Sequence, residues 1–199
     1  MKIYDISQKI FGCNVYPGDQ NPQYNIIKSI KEGDLYNLSS FSMCSHNGTH
    51  VDAPSHFIKC GKNIDEISLN HFVGKCYVAE HKGLLSKDDA NKIVNKALSY
   101  DEETAKRILI KGEAVITLEA AAIFADNNIL LIGNESQTVG PVDSPLEVHL
   151  KLLEKEIVLL EGICLNEINE GQYFLNSAPI NLNGLEGAPT RAILVDFKN

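Results

Sequence analysis

The segment from residue 46 to residue 57 constrains this chain more than any other part, because it holds three histidines and an aspartate within eleven positions. These residues are His46, His50, Asp52 and His56. Neutral imidazole and carboxylate are the ligands that borderline divalent metals such as zinc prefer. No ordinary packing requirement accounts for so many ligand-type side chains so close together. The segment therefore predicts a metal site.

The spacing of these side chains excludes a regular helix or a flat strand. On a helix, Asp52 points away from the face that His46 and His50 share. On a strand all three lie on one face, but four residues at ~3.3 Å each separate His46 from His50 by about 13 Å, too far for two ligands of one ion. Gly48 permits a sharp turn of the backbone. We therefore predict a bent loop that aims His46, His50 and Asp52 at one point, with His56 beside it.

Two other interpretations of the cluster are weaker. Polar side chains satisfied on a crowded turn would explain one histidine, but not four such residues at spacings of 4, 2 and 4. A structural zinc site usually includes cysteines and closes all four coordination positions. Cys44 and Cys60 flank the cluster, and we interpret both as small buried hydrophobic residues. A catalytic site with open coordination positions is therefore favoured.

Composition and charge exclude several classes of function. A chain of 199 residues, 44% apolar and 22% charged, is typical of one globular domain over residues 1–199. A net charge of −8 and a pI near 5.2 argue against nucleic acid or an anionic membrane as a partner. No apolar run reaches transmembrane length. Five scattered cysteines without a C-x-x-C pair predict reduced thiols in a cytoplasmic protein.

Alternating helix and strand signals predict an α/β protein with parallel pairing in the middle and extra β-structure at both ends. Ser86 and Thr117 are the expected caps of two helices. A third helix has the clearest start signal, with Ser144 as the cap, Pro145 at the first position and Glu147 at the third. The helices are expected at 86–98, 117–124 and 144–154, and strands at 24–30, 107–110, 129–132, 157–160, 172–175 and 192–197.

A second group of candidate ligands lies in the last third of the chain. His149 shares an apolar stripe of the third helix with Leu146 and Leu153, so it is expected to face inward. Glu161 ends the apolar strand 157–160, at the carboxyl end where α/β proteins place functional groups. From spacing alone, His149 could equally be a hydrogen-bonded core histidine, and Glu161 a solvated residue at a turn.

Residues 46–57 resemble the signature H-x-G-T-H-x-D-x-P-x-H-F of the cyclase/kynurenine formamidase family of metal-dependent hydrolases. The resemblance extends over nearly the whole chain. Four shorter stretches are similar to the family's other motifs and occur in the same order, at residues 16–19, 143–149, 159–162 and 187–192.

The resemblance implies a site with two divalent metal ions, zinc first and manganese as the alternative. His46, His50 and Asp52 would bind one ion, and Asp52 would bridge to a second ion bound by His149 and Glu161. The resemblance also implies a swivelling β/β/α-type domain with a mixed sheet, and a homodimer.

The activity that the resemblance implies is hydrolysis of a C–N bond in a small amide, as in an arylformamidase that cleaves N-formylkynurenine to kynurenine and formate in the kynurenine pathway of tryptophan catabolism. His56 would be the general acid/base, and Tyr16 would bind the substrate. Formamidases of this family typically carry Trp where Tyr16 stands, and residues 133–137 lack an aspartate that is often found there.

Three alternatives follow from these departures and from the residues themselves. The first is a hydrolase of another aryl amide, or of a cyclic amide such as isatin. The second is a metal-binding or ligand-binding relative without catalysis. The third is a thiol enzyme that uses Cys44 or Cys60 beside a histidine base.

Overall fold

The computed structural model describes residues 1–197, which form thirteen strands and four α-helices. The strands are β1 (Lys2–Asp5), β2 (Gln23–Lys28), β3 (Leu38–Ser42), β4 (His50–Asp52), β5 (Val73–Glu80), β6 (Gly83–Leu85), β7 (Arg107–Lys111), β8 (Ala114–Ile116), β9 (Leu131–Asn134), β10 (Val158–Glu161), β11 (Gly171–Asn176), β12 (Gly187–Pro189) and β13 (Ile193–Asp196). The helices are α1 (Lys87–Leu98), α2 (Glu102–Ala105), α3 (Leu118–Ala125) and α4 (Leu146–Leu153).

Nine of the strands within residues 1–197 form one mixed sheet, in the order β1-β13-β11-β5-β7-β9-β10-β4-β12. Its centre is parallel, since β5, β7, β9 and β10 are parallel neighbours. These strands are apolar on both faces, and α1, α3 and α4 pack on one of them. The predicted α/β class with a mixed sheet is therefore confirmed. The strands β2 and β3 form a separate hairpin, and β6 pairs with β8.

Two of the three expected helix starts are confirmed, and one is wrong. Ser86 caps α1 within a capping box, and the hydroxyl of Thr117 accepts a hydrogen bond from the first turn of α3. Ser144 does not cap α4; it belongs to the preceding turn, which its amide closes by donating to the carbonyl of Pro141. Pro145 is the N-cap residue, since its carbonyl oxygen accepts the first hydrogen bond of the helix, from the amide of His149, and the helix begins one residue later than expected.

The inward face of α4 also differs from the expected stripe. Leu146 is 50% exposed, so it does not belong to the buried face. The residues that face the core are Val148, Leu152 and Leu153, together with His149. The inward position of His149 is thus correct, although the residues that share its face are different.

The pleat of β4 and β10 determines which of their side chains meet α4. Val51 and Leu160 belong to the core on the sheet face away from the helices. Because successive side chains of a strand alternate between faces, His50, Asp52 and Glu161 lie on the helix side. The antiparallel register of the two strands places His50 directly opposite Glu161.

The segment 46–57 is bent, as its spacing predicts, but its middle is a short strand. Gly48 has a φ of +66°, so the chain turns just before β4, and residues 54–56 form one turn of 3-10 helix after it. The expectation that the segment contains no regular strand is wrong for the three residues of β4, which pair with β10 and β12. The turn brings the ring centroids of His46 and His50 to 5.0 Å.

Gly162 ends β10 and directs the chain away from the sheet immediately after Glu161. Its φ is +66°, a region that side chains other than glycine rarely adopt. A Cβ atom here would overlap the carbonyl oxygen of Gly48 and the side-chain nitrogen of Gln137. Glycine is therefore needed both for the backbone angle and for the close approach of two chain segments beside the buried carboxylate.

We expect Gly162→Ala to lower the free energy of unfolding by about 1–3 kcal/mol more than Gly184→Ala does, because of the additional steric overlap. Gly184 is the matched control, since its φ is +78° and a Cβ atom there would have nothing within 4 Å. Urea unfolding of both variants measures the difference. Equal losses would show that the overlap at Gly162 relaxes at no cost.

Candidate metal centre

Five candidate ligands from four separate parts of the chain meet at one buried point. His50 and Asp52 come from β4, Glu161 from the end of β10, and His149 from α4, and all four are at most 2% exposed. His46 comes from the turn before β4 and is partly exposed. The structure thus brings together every ligand residue that the sequence predicts.

The first group of potential ligands is His46, His50 and Asp52. The Nδ1 atom of His46 lies 2.8 Å from Oδ1 of Asp52, and the Nε2 atom of His50 lies 3.4 Å from the same oxygen. One potential ligand atom from each of the three residues lies within 4.8 Å of the other two, although a turn of the chain separates His46 from His50.

The second group of potential ligands is Asp52, His149 and Glu161. The Nε2 atom of His149 lies 3.3 Å from Oε1 of Glu161 and 3.8 Å from Oδ2 of Asp52. Asp52 therefore belongs to both groups, and it directs a different oxygen toward each.

These donor atoms fit divalent cations by spacing and by chemistry. Nitrogen and oxygen ligands at ~2.0–2.2 Å from a tetrahedral zinc ion are separated from one another by roughly 3.4 Å. The separations of 3.3 Å, 3.4 Å and 3.8 Å given above are close to this value, whereas His46 and Asp52 are within hydrogen-bond distance at 2.8 Å. The Oδ2 atom of Asp52 is buried without a hydrogen-bond partner. A buried carboxylate oxygen is costly unless a charge or a donor meets it, and a cation between the two groups would do so.

Hydrogen bonds to the backbone fix two of the three imidazole rings. The Nδ1 atom of His50 lies 2.9 Å from the carbonyl oxygen of Gly48, and that of His149 lies 2.8 Å from the carbonyl oxygen of Pro145. A ring that donates its Nδ1 proton to a carbonyl keeps the lone pair on Nε2, which in both residues faces the carboxylates. Pro145, the cap of α4, therefore also orients His149.

The charges of the cluster shift the pKa values of its members strongly. Burial lowers the pKa of His50, but hydrogen bonds and charges from Asp52 and Glu161 outweigh it and raise the pKa to about 10. Burial raises the pKa of Asp52, but the neighbouring His46 and His50 hold it well below its ordinary value. The buried carboxylates thus favour the protonated form of His50, and the histidines favour the ionised form of Asp52.

His56 lies beside the ligands without belonging to either group. Its ring stacks on that of His46, with centroids 4.0 Å apart, and it faces Phe57 at 4.4 Å. Burial lowers the pKa of His56, as do the neighbouring His46 and His149, and these effects outweigh the opposite effect of Asp52 and Glu161. The imidazole is therefore neutral near pH 7 and can accept a proton.

A cavity of about 300 Å³ opens onto this centre. Tyr16 lies on its wall and is held there by a hydrogen bond of 2.8 Å from its hydroxyl group to the carbonyl oxygen of Val142. The rings of Tyr16, His56 and Phe57 give the cavity an aromatic surface. The structure therefore brings the predicted substrate residue and the predicted acid/base into the same cavity.

Sequence reasoning missed three polar residues near the site. Gln137 and Thr138 line the cavity, and Glu186 contacts His46 from the loop before β12. None of them follows a recognisable spacing, because the fold brings in Gln137 and Thr138 from the loop after β9 and Glu186 from the loop before β12. The flanking Cys44 and Cys60 belong to neither ligand group of the described residues. The expectation that both are buried is wrong, since Cys44 is half-buried and Cys60 is exposed.

Comparisons with known proteins found related sequences and similar folds. Residues 4–141 match the family model described as putative cyclase. A kynurenine formamidase from Salinibacter ruber is 33% identical over 215 residues, covering 98% of each chain. A solved structure described as a potential metal-dependent hydrolase with cyclase activity is 27% identical, with a TM-score of 0.80 over 97% of this chain and 96% of the other. An isatin hydrolase bound to thioisatinate, 16% identical, shares the fold with a TM-score of 0.78 over 98% and 92% of the two chains.

We expect a divalent cation to displace protons when it binds to the metal-free protein. With a pKa of about 10, His50 carries a proton at pH 7.5, and a ligating imidazole must be neutral. The calorimetric enthalpy of zinc binding should therefore vary with the ionisation enthalpy of the buffer. The slope of this dependence should correspond to the release of about one proton or more per chain. His71→Ala removes a histidine outside both groups and should leave this release unchanged. Equal enthalpies in all buffers would contradict the prediction.

Proposed function

The chain belongs to the putative cyclase family, and from this premise we propose that it is a metal-dependent amide hydrolase, acting as one domain over residues 1–199. The proposed reaction is that of an arylformamidase, which cleaves N-formylkynurenine to kynurenine and formate. The observation that carries the proposal is the position of Asp52, shared between two ligand groups beside a cavity that holds a neutral histidine.

In the proposed centre, His46, His50 and Asp52 hold one divalent cation, and Asp52, His149 and Glu161 hold a second. Bound cations supply Lewis acidity, which polarises an amide carbonyl and lowers the pKa of water. Zinc suits a set of imidazole and carboxylate ligands, and manganese is the alternative. The similarity to a kynurenine formamidase and to a metal-dependent hydrolase supports this use of metal.

His56 is the proposed general acid/base. Its neutral ring takes a proton from the attacking water as oxygen bonds to the formyl carbon, and it returns that proton to the nitrogen as the C–N bond breaks. An aromatic amine leaves more readily than an alkyl amine, so an aryl amide suits this exchange. The stacking of His56 on His46 keeps the ring next to the ligands throughout.

The aromatic wall of the cavity supports an aryl substrate. Tyr16 and Phe57 offer ring surfaces for an aromatic group, and a cavity of about 300 Å³ is at the lower end of the range for small-molecule sites. Because Tyr16 stands where related formamidases carry Trp, a cyclic amide such as isatin is the second candidate substrate.

The proposed state of the protein is a cytoplasmic homodimer. Five cysteines without a disulfide among the described residues fit a reducing compartment. None of the helices within residues 1–197 has the length and hydropathy of a membrane span.

The proposed dimer interface is the hairpin of β2 and β3. This hairpin exposes Tyr24, Ile26 and Phe41, each more than half accessible, and a two-stranded hairpin is only marginally stable alone.

The function is tested with protein stripped of metal and reloaded with zinc or with manganese, and given N-formylkynurenine and isatin in parallel. Metal-dependent release of kynurenine supports the proposal. Turnover of isatin but not of N-formylkynurenine would instead assign cyclic amides as the substrate class. Two bound metals per chain without turnover of any amide would favour a binding protein, and activity lost on thiol alkylation but kept under chelation would favour a thiol enzyme.

We expect His56→Ala to lower kcat by about 10²–10⁴-fold without changing the metal content, because the variant loses a proton carrier but no ligand. Metal analysis and steady-state kinetics measure both quantities. His71→Ala is the matched control and should keep full activity, whereas Asp52→Asn should lose metal as well as activity. A kcat at the wild-type level in His56→Ala would contradict the assigned role.

We expect the protein to sediment as a dimer and Ile26→Glu to sediment as a monomer, because the substitution places a charge on the apolar hairpin. Leu84→Glu is the control, since Leu84 is 71% exposed on β6, outside the hairpin. Analytical ultracentrifugation distinguishes the two states. A monomeric wild-type protein, or a dimeric Ile26→Glu variant, would contradict this assignment of the interface.

A further inference from the structure

We propose that Glu186 is a positioning residue that sets the orientation and the tautomer of His46. This inference rests on the metal centre proposed above. The Oε1 atom of Glu186 lies 3.2 Å from Nε2 of His46. The hydroxyl of Ser45 donates to the same carboxylate oxygen at 2.5 Å. Glu186 therefore binds two consecutive residues of the turn that carries the first candidate ligand.

The backbone holds this carboxylate in place. The carbonyl oxygen of Glu186 accepts a hydrogen bond of 2.8 Å from the amide of Ala53, directly after β4. Glu186 is also the residue before β12, which pairs with β4. The chain at β4, which provides His50 and Asp52, thus holds the backbone of Glu186. Glu186 in turn contacts His46.

The neighbouring glycine provides the space for this contact. Gly187 pairs with Asp52 across β12 and β4. A Cβ atom on Gly187 would lie 2.7 Å from Cε1 of His46, so any larger residue would push the ring away. The start of β12 therefore makes two contributions to His46. Gly187 leaves space for its ring, and Glu186 is an acceptor for its Nε2 atom.

His46 needs this acceptor more than the other two histidines do. The side chains of His50 and His149 are 1% and 3% exposed, and backbone carbonyl groups bind their outer nitrogens. The side chain of His46 is 15% exposed, so packing restrains it less. Its inner nitrogen is Nδ1, which faces Asp52, and its outer nitrogen is Nε2, which faces Glu186.

A carboxylate in this position has a defined effect on an imidazole ligand. By accepting the Nε2 proton, Glu186 keeps the lone pair of His46 on Nδ1, toward Asp52 and the cation between them. The negative charge also raises the basicity of the ring. Loss of such an outer partner typically lowers metal affinity by about 10–100-fold, and here the loss is confined to the ion that His46 binds.

The test is a competitive zinc titration of the whole protein against a chelator of known affinity. Glu186→Leu keeps the approximate size of the side chain and removes both oxygen acceptors, and we expect one of the two zinc affinities to fall by about 10–100-fold while the other stays unchanged. Glu186→Asp keeps the charge and should recover part of the loss. Glu167→Leu is the matched control, because Glu167 is exposed and lies outside the site.

A spectroscopic readout separates positioning from a general structural effect. Long-range nitrogen–proton NMR of the zinc-loaded protein should show His46 with its proton on Nε2 and no proton on Nδ1, and this Nε2 proton should exchange faster with water in Glu186→Ala. Unchanged zinc affinities in Glu186→Leu, or a proton on Nδ1 of His46, would overturn the inference. A wild-type protein that binds fewer than two zinc ions would instead contradict the proposed metal centre.

Discussion

The charge of Asp52 has to be balanced inside the protein, because its side chain is almost completely buried beside two histidines and a second buried carboxylate, that of Glu161. Taking two carboxylates out of water is costly unless cations or donors meet them. One oxygen of Asp52 contacts His46 and His50, and the other has no hydrogen-bond partner. The strands, turns and helix around Asp52 bring in the histidines that balance its charge.

The sheet provides the precision that such a cluster needs. The short strand β4 is held on both sides, by β10 and by β12, so its pleat and register are fixed. A slip of one residue would turn His50 and Asp52 into the opposite core. Glycine at positions 48, 162 and 187 lets neighbouring segments approach β4 closely. A site built on strand register in this way is positioned more accurately than one carried by loops alone.

Much of the centre could be predicted from sequence, because its ligands are concentrated. The density of ligand-type side chains in residues 46–57 indicates a metal site without any structural knowledge, whereas His149 and Glu161 acquire meaning only through family resemblance. Glu186 escaped prediction, since it approaches His46 through a strand pairing that spacing does not reveal. The helix α4 starts one residue later than the capping signal at Ser144 predicts, because Ser144 ends a turn that its amide closes onto Pro141, and sequence signals locate the end of a helix only to within a residue or two.

In the proposed centre, two cations would share the carboxylate of Asp52. Crystals of the zinc-loaded protein, with anomalous diffraction recorded on both sides of the zinc absorption edge, would show whether they do. We expect two anomalous peaks per chain, one between His46, His50 and Asp52 and the other between Asp52, His149 and Glu161. A single peak, or peaks that Asp52 does not contact, would contradict it.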